Sequence, residues 1–464
     1  MFHIGVFRHL SSAYHKKYQI HTEKVNALFI LQFIIVLLAI LIGARIGGIG
    51  LGIMGGAGLA ILTFVFNLEP TAPPIDVMLM IVAVVTAAGT LQAAGGMNVL
   101  VNLAEKILRK NPSRITFMAP ITTYLFTFFA GTGHVAYTLL PVISEVAQES
   151  KVRPERPLSV AVIASQQAIV ASPISAATVA LLALIAGFDF TLMNILMITV
   201  PATFIGIMTA AFVVKNRGPE LEEDPEYLKR LKEGLEPARV ARDQSDVTSR
   251  SVFSVWLFLV AAVLIVLLGT FDQLRPSFGT GEDVTVLSMP HTIQIVMLSV
   301  AALILLICKV DAAKVATGSV FRAGIVAVVA IFGIAWMGDS FFQANMDVIE
   351  PAVQGMVQTA PWIFAFALFI MSIFLNSQAA TVGALMPLGL TLGINPAFMI
   401  AMFPAVNGYF FMPNYGPIIA AIGFDRTGTT KIGKFVFNHS FMLPGLVATF
   451  VAVGVGYALA FLLL

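Results

Sequence analysis

Residues 115–148 read ITFMAPITTYLFTFFAGTGHVAYTLLPVISEVAQ, and both flanks of this stretch are basic. Lys106, Arg109, Lys110 and Arg114 precede it, and Lys151, Arg153 and Arg156 follow it. Basic loops stay on the cytoplasmic side of a bilayer, so the stretch enters and leaves on that side. Its 34 residues are too many for one ordinary span. As a single helix it would reach about 50 Å, against a hydrocarbon core of about 30 Å. A re-entrant helical hairpin fits, with Gly131-Thr132-Gly133-His134 at its tip.

Residues 361–391 show the same oddity with opposite flanks. Segments 342–360 and 392–396 contain no Lys or Arg, so this hairpin is expected to dip in from outside. Its polar stretch is Asn376-Ser377-Gln378-Ala379-Ala380-Thr381. Other apolar runs mark spans near 26–44, 46–66, 77–100, 157–187, 191–214, 252–270, 291–308, 319–341, 397–423 and 435–463. Each half therefore reads as three spans, a hairpin and two further spans. The halves have opposite orientation, which is the pattern of secondary transporters. The fold class expected is an all-α polytopic membrane protein. Two inverted-topology repeats, 26–214 and 252–464, each hold a re-entrant hairpin and a broken transmembrane helix.

Between the repeats, 215–251 carries 17 charged residues. It reads as a solvated cytoplasmic linker with a short helix around Pro225 to Gly234. Residues 1–25 form a polar N-terminal tail. Its Arg8, Lys16, Lys17 and Lys24 run against the outside placement that the inverted repeat requires, and the repeat decides the assignment.

Composition agrees with a lipid environment. The chain is 58% hydrophobic and 11% charged, where a soluble domain carries roughly a quarter charged residues. One cysteine, Cys308, excludes an intramolecular disulfide and any cysteine metal cluster. The net charge of +2 gives no sign of nucleic-acid binding. No HExxH, GxSxG or paired-Asp motif lies in a span, so no enzyme is expected. The glycines from Gly43 to Gly58 read as a close-packing face.

Glu145, Asp339 and His134 are the titratable residues inside apolar segments, with His439 near the start of the last one. Glu145 and Asp339 lie near segment ends and read as interfacial carboxylates. The uncharged polar clusters say more. Each hairpin is followed by a span that polar residues and proline interrupt. In the first half this is Ser165-Gln166-Gln167 through Ser172-Pro173. In the second it is Asn407-Gly408 through Pro413-Asn414-Tyr415-Gly416-Pro417. Proline frees a backbone carbonyl one turn back. Irregular backbone at membrane depth is tolerated where it is buried in protein or lines a cavity. One isolated serine reads as back-bonding within its helix, but four such clusters point to a shared site. Helix N-termini there suit carboxylates, and freed carbonyls suit a cation. The polar lining expected is Thr132, His134, Ser165, Gln166, Ser172, Ser377, Gln378, Thr381, Asn407 and Asn414. No metal ligand set and no cofactor is assigned. A coupling ion, sodium or proton, stays open.

Several stretches resemble the anaerobic C4-dicarboxylate transporter (Dcu) family, in its A/B branch. They are GARIGGI at 43–49, EKILRKNP at 105–112, FAGTGHV at 129–135, RPERP at 153–157, ASPISA at 171–176, AWMGD at 335–339, SQAAT at 377–381 and TGTTKIGKFVFNH at 427–439. The resemblance spans about residues 26–464. SQAAT and the VFNH ending look closer to A-type sequences of the branch, and His134 looks closer to the B type. The resemblance implies a multi-pass carrier of the bacterial inner membrane for fumarate, succinate, malate and aspartate. It implies exchange or uptake of these acids in anaerobic respiration. It further suggests kinship with a broader ion-transporter group whose hairpin domains move like an elevator, and, by analogy, a homodimer in the lipid bilayer. The other reading is a dicarboxylate-binding membrane sensor or interaction protein that signals through 215–251.

Overall fold

A computed structural model describes residues 27–43, 45–46, 48–133, 135–234, 247–279, 284–348, 360–375, 377–413, 415–433 and 438–464. The N-terminal tail 1–25 lies outside the described residues, as do His134, Asn376 and Asn414. The described residues are mostly helical, and seven helical stretches among them, one being the interrupted run Glu155–Phe188, are long and apolar enough to cross a membrane.

The first half opens with α1 (Ala27–Gly43), α2 (Gly50–Phe64) and α3 (Ile75–Ala93). The run 77–100 was expected as one span, with a basic loop after it. Instead Gly95 takes a left-handed conformation, φ 78°, and a second helix begins, α4 (Gly96–Lys110). Its buried residues Gly96, Leu100, Ala104 and Leu108 recur every fourth position, while Arg109 and Lys110 end it. Such spacing makes one apolar stripe on an otherwise polar helix, and basic residues suit a helix C-terminus.

The stretch 115–148 resolves into α5 (Ile115–Ala130) and α6 (Val135–Glu149), packed together and joined at Gly131–Gly133. Then come α7 (Glu155–Ala171), α8 (Ala176–Ile185) and α9 (Leu192–Val214). Helix α10 (Pro225–Lys232) follows, with Asp224 as N-cap accepting from the Glu226 and Tyr227 amides. The second half holds α11 (Ser249–Thr270), α12 (Met289–Cys308), α13 (Ala312–Thr317) and α14 (Ser319–Ala344). It ends with α15 (Ile363–Leu375), α16 (Gln378–Thr391), α17 (Pro396–Met402, continued as a 3-10 run Phe403–Phe410), α18 (Gly416–Phe424) and α19 (Met442–Leu463).

Two groups of helices emerge from the packing. In one, α7 lies against α5 and α9, α9 runs along α19, and α15 packs on the 3-10 run after α17. In the other, α2 pairs with α14, and α3 pairs with both α12 and α14. The α2–α14 crossing is very close. A Cβ on Gly333 would sit 1.8 Å from the Gly52 carbonyl oxygen. Any larger side chain at 333 would have to push the helices apart. In lipid, helix association depends on such van der Waals fit.

The charged end differs from a solvated linker. Arg153, Glu155 and Asp224 are 4%, 6% and 4% exposed. Arg153 donates from Nε to Glu155 Oε2 (2.7 Å) and from Nη1 to Asp224. Glu155 in turn accepts from Ser440 Oγ (2.8 Å), and its amide donates to Thr429 Oγ1 (3.2 Å). Arg156 donates to the Arg217 and Gly218 carbonyls (2.9 and 3.0 Å) and pairs with Glu220 (3.0 Å). Arg217 reaches the Ser440 carbonyl (3.2 Å) and Arg230 the Arg426 carbonyl (2.9 Å). Residues 217–232 are thus a strap that binds the start of α7 to the loop before α19. Burial pushes the Asp224 carboxyl up, yet the Tyr227 amide and the Arg153 guanidinium hold it below its ordinary value.

Other intramembrane candidates have ordinary roles. Glu145 meets Arg109 of α4 at 3.1 Å. Asp339 is half-buried on α14. His439 lies ahead of the last span, which begins at Met442 rather than near 435. Its Nδ1 accepts from the Phe441 amide (3.2 Å), leaving Nε2 to donate to the Phe411 carbonyl (3.3 Å).

Candidate functional site

Four interruptions of helix meet at one place. The first tip, Gly131–Gly133, joins α5 to α6. The first break, Ser172–Ser175, separates α7 from α8. Ser377 forms the second tip, ahead of α16. The second break lies between Phe410 and Gly416. All four contribute to the lining of one cavity of about 360 Å³, through Thr132, Ile174, Ser377 and Tyr415 among others. Helices α3 and α14 close its far side with Val84, Val320 and Ala327. None of the described lining residues carries a charge.

Helix ends supply the cavity's electrostatics. Ser175 caps α8 by accepting from the Thr178 amide (3.1 Å), and Ser377 caps α16 by accepting from the Ala380 amide (3.2 Å). First-turn residues of both helices border the cavity: Ala176 and Ala177 of α8, Gln378 and Ala379 of α16. The first N–H groups of a helix have no partner within it, and they carry the positive end of the helix dipole. Two such ends at one cavity favour an anion there.

The eight described residues among those expected from the sequence fall into three groups. Thr132, Ser377 and Gln378 border the cavity. Gln166 and Asn407 lie directly behind Gln378, whose amide nitrogen donates to the Gln166 carbonyl (2.8 Å) and to Asn407 Oδ1. Both hydrogens of that nitrogen are thereby used inside the protein, so Gln378 braces the second tip against α7 and the 3-10 run. Asn407 completes the brace by donating to the Pro404 carbonyl (3.1 Å). The Gln166 side chain is fully buried, with neither amide atom bonded to protein.

Ser165, Ser172 and Thr381 are fully buried and donate to the backbone carbonyls of Val162, Phe128 and Ser377, each at 2.7 Å. Ser165 and Thr381 bond within their own helices. Ser172 instead ties the first break to α5. His134 and Asn414 lie outside the described residues.

Three tyrosines were missed. Tyr137, Tyr409 and Tyr415 all line the cavity. The Tyr409 and Tyr415 rings meet edge to face, centroids 4.6 Å apart. Two of them stand inside the interrupted stretch 407–417, where only Asn, Gly and Pro were read as signals. A tyrosine in an apolar run ordinarily reads as core or interface.

Comparison with known proteins decides the family. Residues 28–464 match the model of the DcuA_DcuB family, the anaerobic C4-dicarboxylate membrane transporters. The chain belongs to that family. It is 43% identical over 443 residues to the anaerobic C4-dicarboxylate transporter DcuB of Escherichia coli O157:H7, covering 93% of this chain and 98% of that one. It is 43% identical over 433 residues to the C4-dicarboxylate transporter DcuA of Escherichia coli K12, covering 93% and 99%. The DcuA of Wolinella succinogenes is 39% identical over 437 residues, covering 94% and 100%. These relatives are transporters and not enzymes, and this family member is a multi-pass membrane protein of the same kind.

Two solved structures share the fold. The Alcanivorax borkumensis YdaH transporter superposes with TM-score 0.53 at 16% identity, covering 94% of this chain and 97% of that one. Neisseria gonorrhoeae MtrF, of a class of antimetabolite efflux pumps, superposes with TM-score 0.54 at 14% identity, covering 94% and 95%. At such identity the likeness concerns the fold alone.

Proposed function

We propose that this protein is a secondary carrier that exchanges or takes up C4-dicarboxylates such as fumarate, succinate, malate and aspartate across a bacterial inner membrane. One observation carries the reading. Two helix tips and two helix breaks border one cavity whose described lining is uncharged and mostly apolar, with a few hydroxyls and one amide and with two helix N-termini at its edge. A small dianion fits those donors.

The two packing groups support a reading of alternating access. The helix pairs α5–α6 and α15–α16 act as the re-entrant hairpins of two inverted repeats. The mirrored pairings α2 with α14 and α12 with α3 support that symmetry. The group carrying both tips moves as an elevator against α2, α3, α12 and α14, so the cavity faces each side in turn. Thr132 and Ser377 offer hydroxyls to substrate, and Gln378 with Asn407 keeps the second tip in place. Sodium or a proton serves as coupling ion, and the carrier works as a homodimer.

Counterflow in proteoliposomes tests this. Vesicles loaded with succinate should take up labelled fumarate far faster than empty ones. Repeating the assay with sodium, and with choline in its place, identifies the ion. Equal uptake by loaded and empty vesicles would remove the exchanger reading.

A further inference from the structure

We propose that Tyr137, Tyr409 and Tyr415 form the carboxylate-recognition edge of the cavity and set its preference for a carboxylate over the corresponding amide. This rests on the carrier reading above and adds the residues that choose the substrate's charged end.

The three phenols come from separate parts of the chain. Tyr137 is in the first turn of α6, Tyr409 is in the 3-10 run, and Tyr415 is in the second break. All three border the one cavity. The Tyr409 and Tyr415 rings pack edge to face, which holds the two phenols side by side. Glycines leave room for two of the hydroxyls. A Cβ on Gly416 would lie 2.0 Å from the Tyr137 hydroxyl oxygen, and one on Gly133 would lie 3.4 Å from that of Tyr415. The Tyr137 hydroxyl therefore lies against the start of α18, and the Tyr415 hydroxyl lies beside the first tip. Both oxygens sit where the two halves of the chain meet.

Chemistry favours these groups as the anion's donors. The described lining has no lysine or arginine. Gln378 uses its amide hydrogens within the protein. A phenol, with a pKa near 10, is the most acidic neutral hydroxyl a side chain offers. Bonds from such a donor to an ionised acceptor are stronger than neutral pairs. A carboxylate presents only acceptors to this edge. An amide presents two N–H groups and a weaker oxygen, so it satisfies fewer of the donors.

The test compares wild type with Tyr137→Phe, Tyr415→Phe and the double variant in succinate counterflow. Succinamate, the monoamide of succinate, serves as competitor. Removing one hydroxyl from an ionised acceptor should raise the half-saturating succinate concentration about tenfold or more. The maximal rate and inhibition by succinamate should stay near wild type, so selectivity falls by the same factor. Gly416→Ala keeps every hydroxyl but displaces the Tyr137 ring, and should reproduce the Tyr137→Phe shift. Wild-type half-saturation in the double variant would overturn the assignment. So would a fall in maximal rate alone, because that is the mark of a structural role. If wild type exchanges no dicarboxylate, the carrier reading itself fails. If wild type exchanges and the variants match its affinity, only the tyrosine assignment fails.

Discussion

Two buried polar regions among the described residues are built on opposite rules. At the strap, Arg153, Glu155 and Asp224 are full charges held almost wholly out of solvent, each facing a fixed partner. At the cavity, hydroxyls, amides, phenols and helix ends meet without a charge among the described lining. A permanent joint can use full charges, because its partners never leave and their desolvation occurs once, on folding. A site that loads and unloads must bind firmly enough to fill and loosely enough to empty. Neutral donors fit that requirement.

The largest expected effect comes from breaking the charged side. Arg153→Ala leaves Glu155 and Asp224 buried without their cation, and losing one partner of a buried pair costs about 3–5 kcal/mol. Thermal unfolding in detergent should show a large fall in Tm, with little folded protein recovered from membranes. A Tm near wild type would mean the strap is not a joint. Acid probes the same cluster. The Asp224 pKa is depressed on folding, so its contribution is complete above the unfolded carboxylate value of about 3.9 and is lost as pH falls through the lower folded value. Wild-type Tm should therefore drop below about pH 4, and Asp224→Asn should be less stable at neutral pH but flatter across that window. Parallel curves would contradict the assignment.

On the neutral side the effects shrink. Gln378→Ala removes the donor to Asn407 Oδ1 and the Gln166 carbonyl, and unsatisfied buried acceptors cost about 1–3 kcal/mol. Counterflow should fall more than Tm does, since the tip is displaced while the helices remain packed. Ser377→Ala removes an N-cap, worth about 1 kcal/mol, and should weaken transport with the fold intact. The smallest effect belongs to Glu220→Ala. Its carboxylate is exposed opposite Arg156, and such pairs contribute about 0–1 kcal/mol. Arg156 also keeps its bonds to the Arg217 and Gly218 carbonyls.

Much of this was legible in the sequence, for reasons that can be named. Span lengths and the sorting of Lys and Arg depend on the bilayer, and they marked 115–148 and 361–391 as interrupted. Helix ends fell at Gly131 and Ser377 because a left-handed glycine and a serine N-cap are local signals. Helix α4 was hidden because its stripe of Gly96, Leu100, Ala104 and Leu108 is too thin to register as a span. The strap was hidden because a charged run reads as solvated. Its long-range partners, such as Arg153 for Asp224 71 positions away and Arg426 for Arg230, show it to be packed. Among the polar candidates, nothing local separates Ser377, which borders the cavity, from Thr381, which bonds to the Ser377 carbonyl one turn back. The tyrosines needed the tertiary structure, since a phenol's role depends on what lies beyond its ring.

Substrate protection tests the central contrast most directly. With Cys308 replaced by alanine, a single cysteine can be placed in turn at Ala176, on the cavity wall, and at Glu220, on the strap. Ala176 offers the site only its backbone, which the substitution keeps, and Glu220 is not proposed to touch substrate. Succinate should slow methanethiosulfonate labelling of Ala176→Cys and leave Glu220→Cys unchanged, while succinamate should protect far less. Equal labelling of Ala176→Cys with and without succinate, in protein that still performs counterflow, would place the substrate elsewhere and contradict the assignment of this cavity.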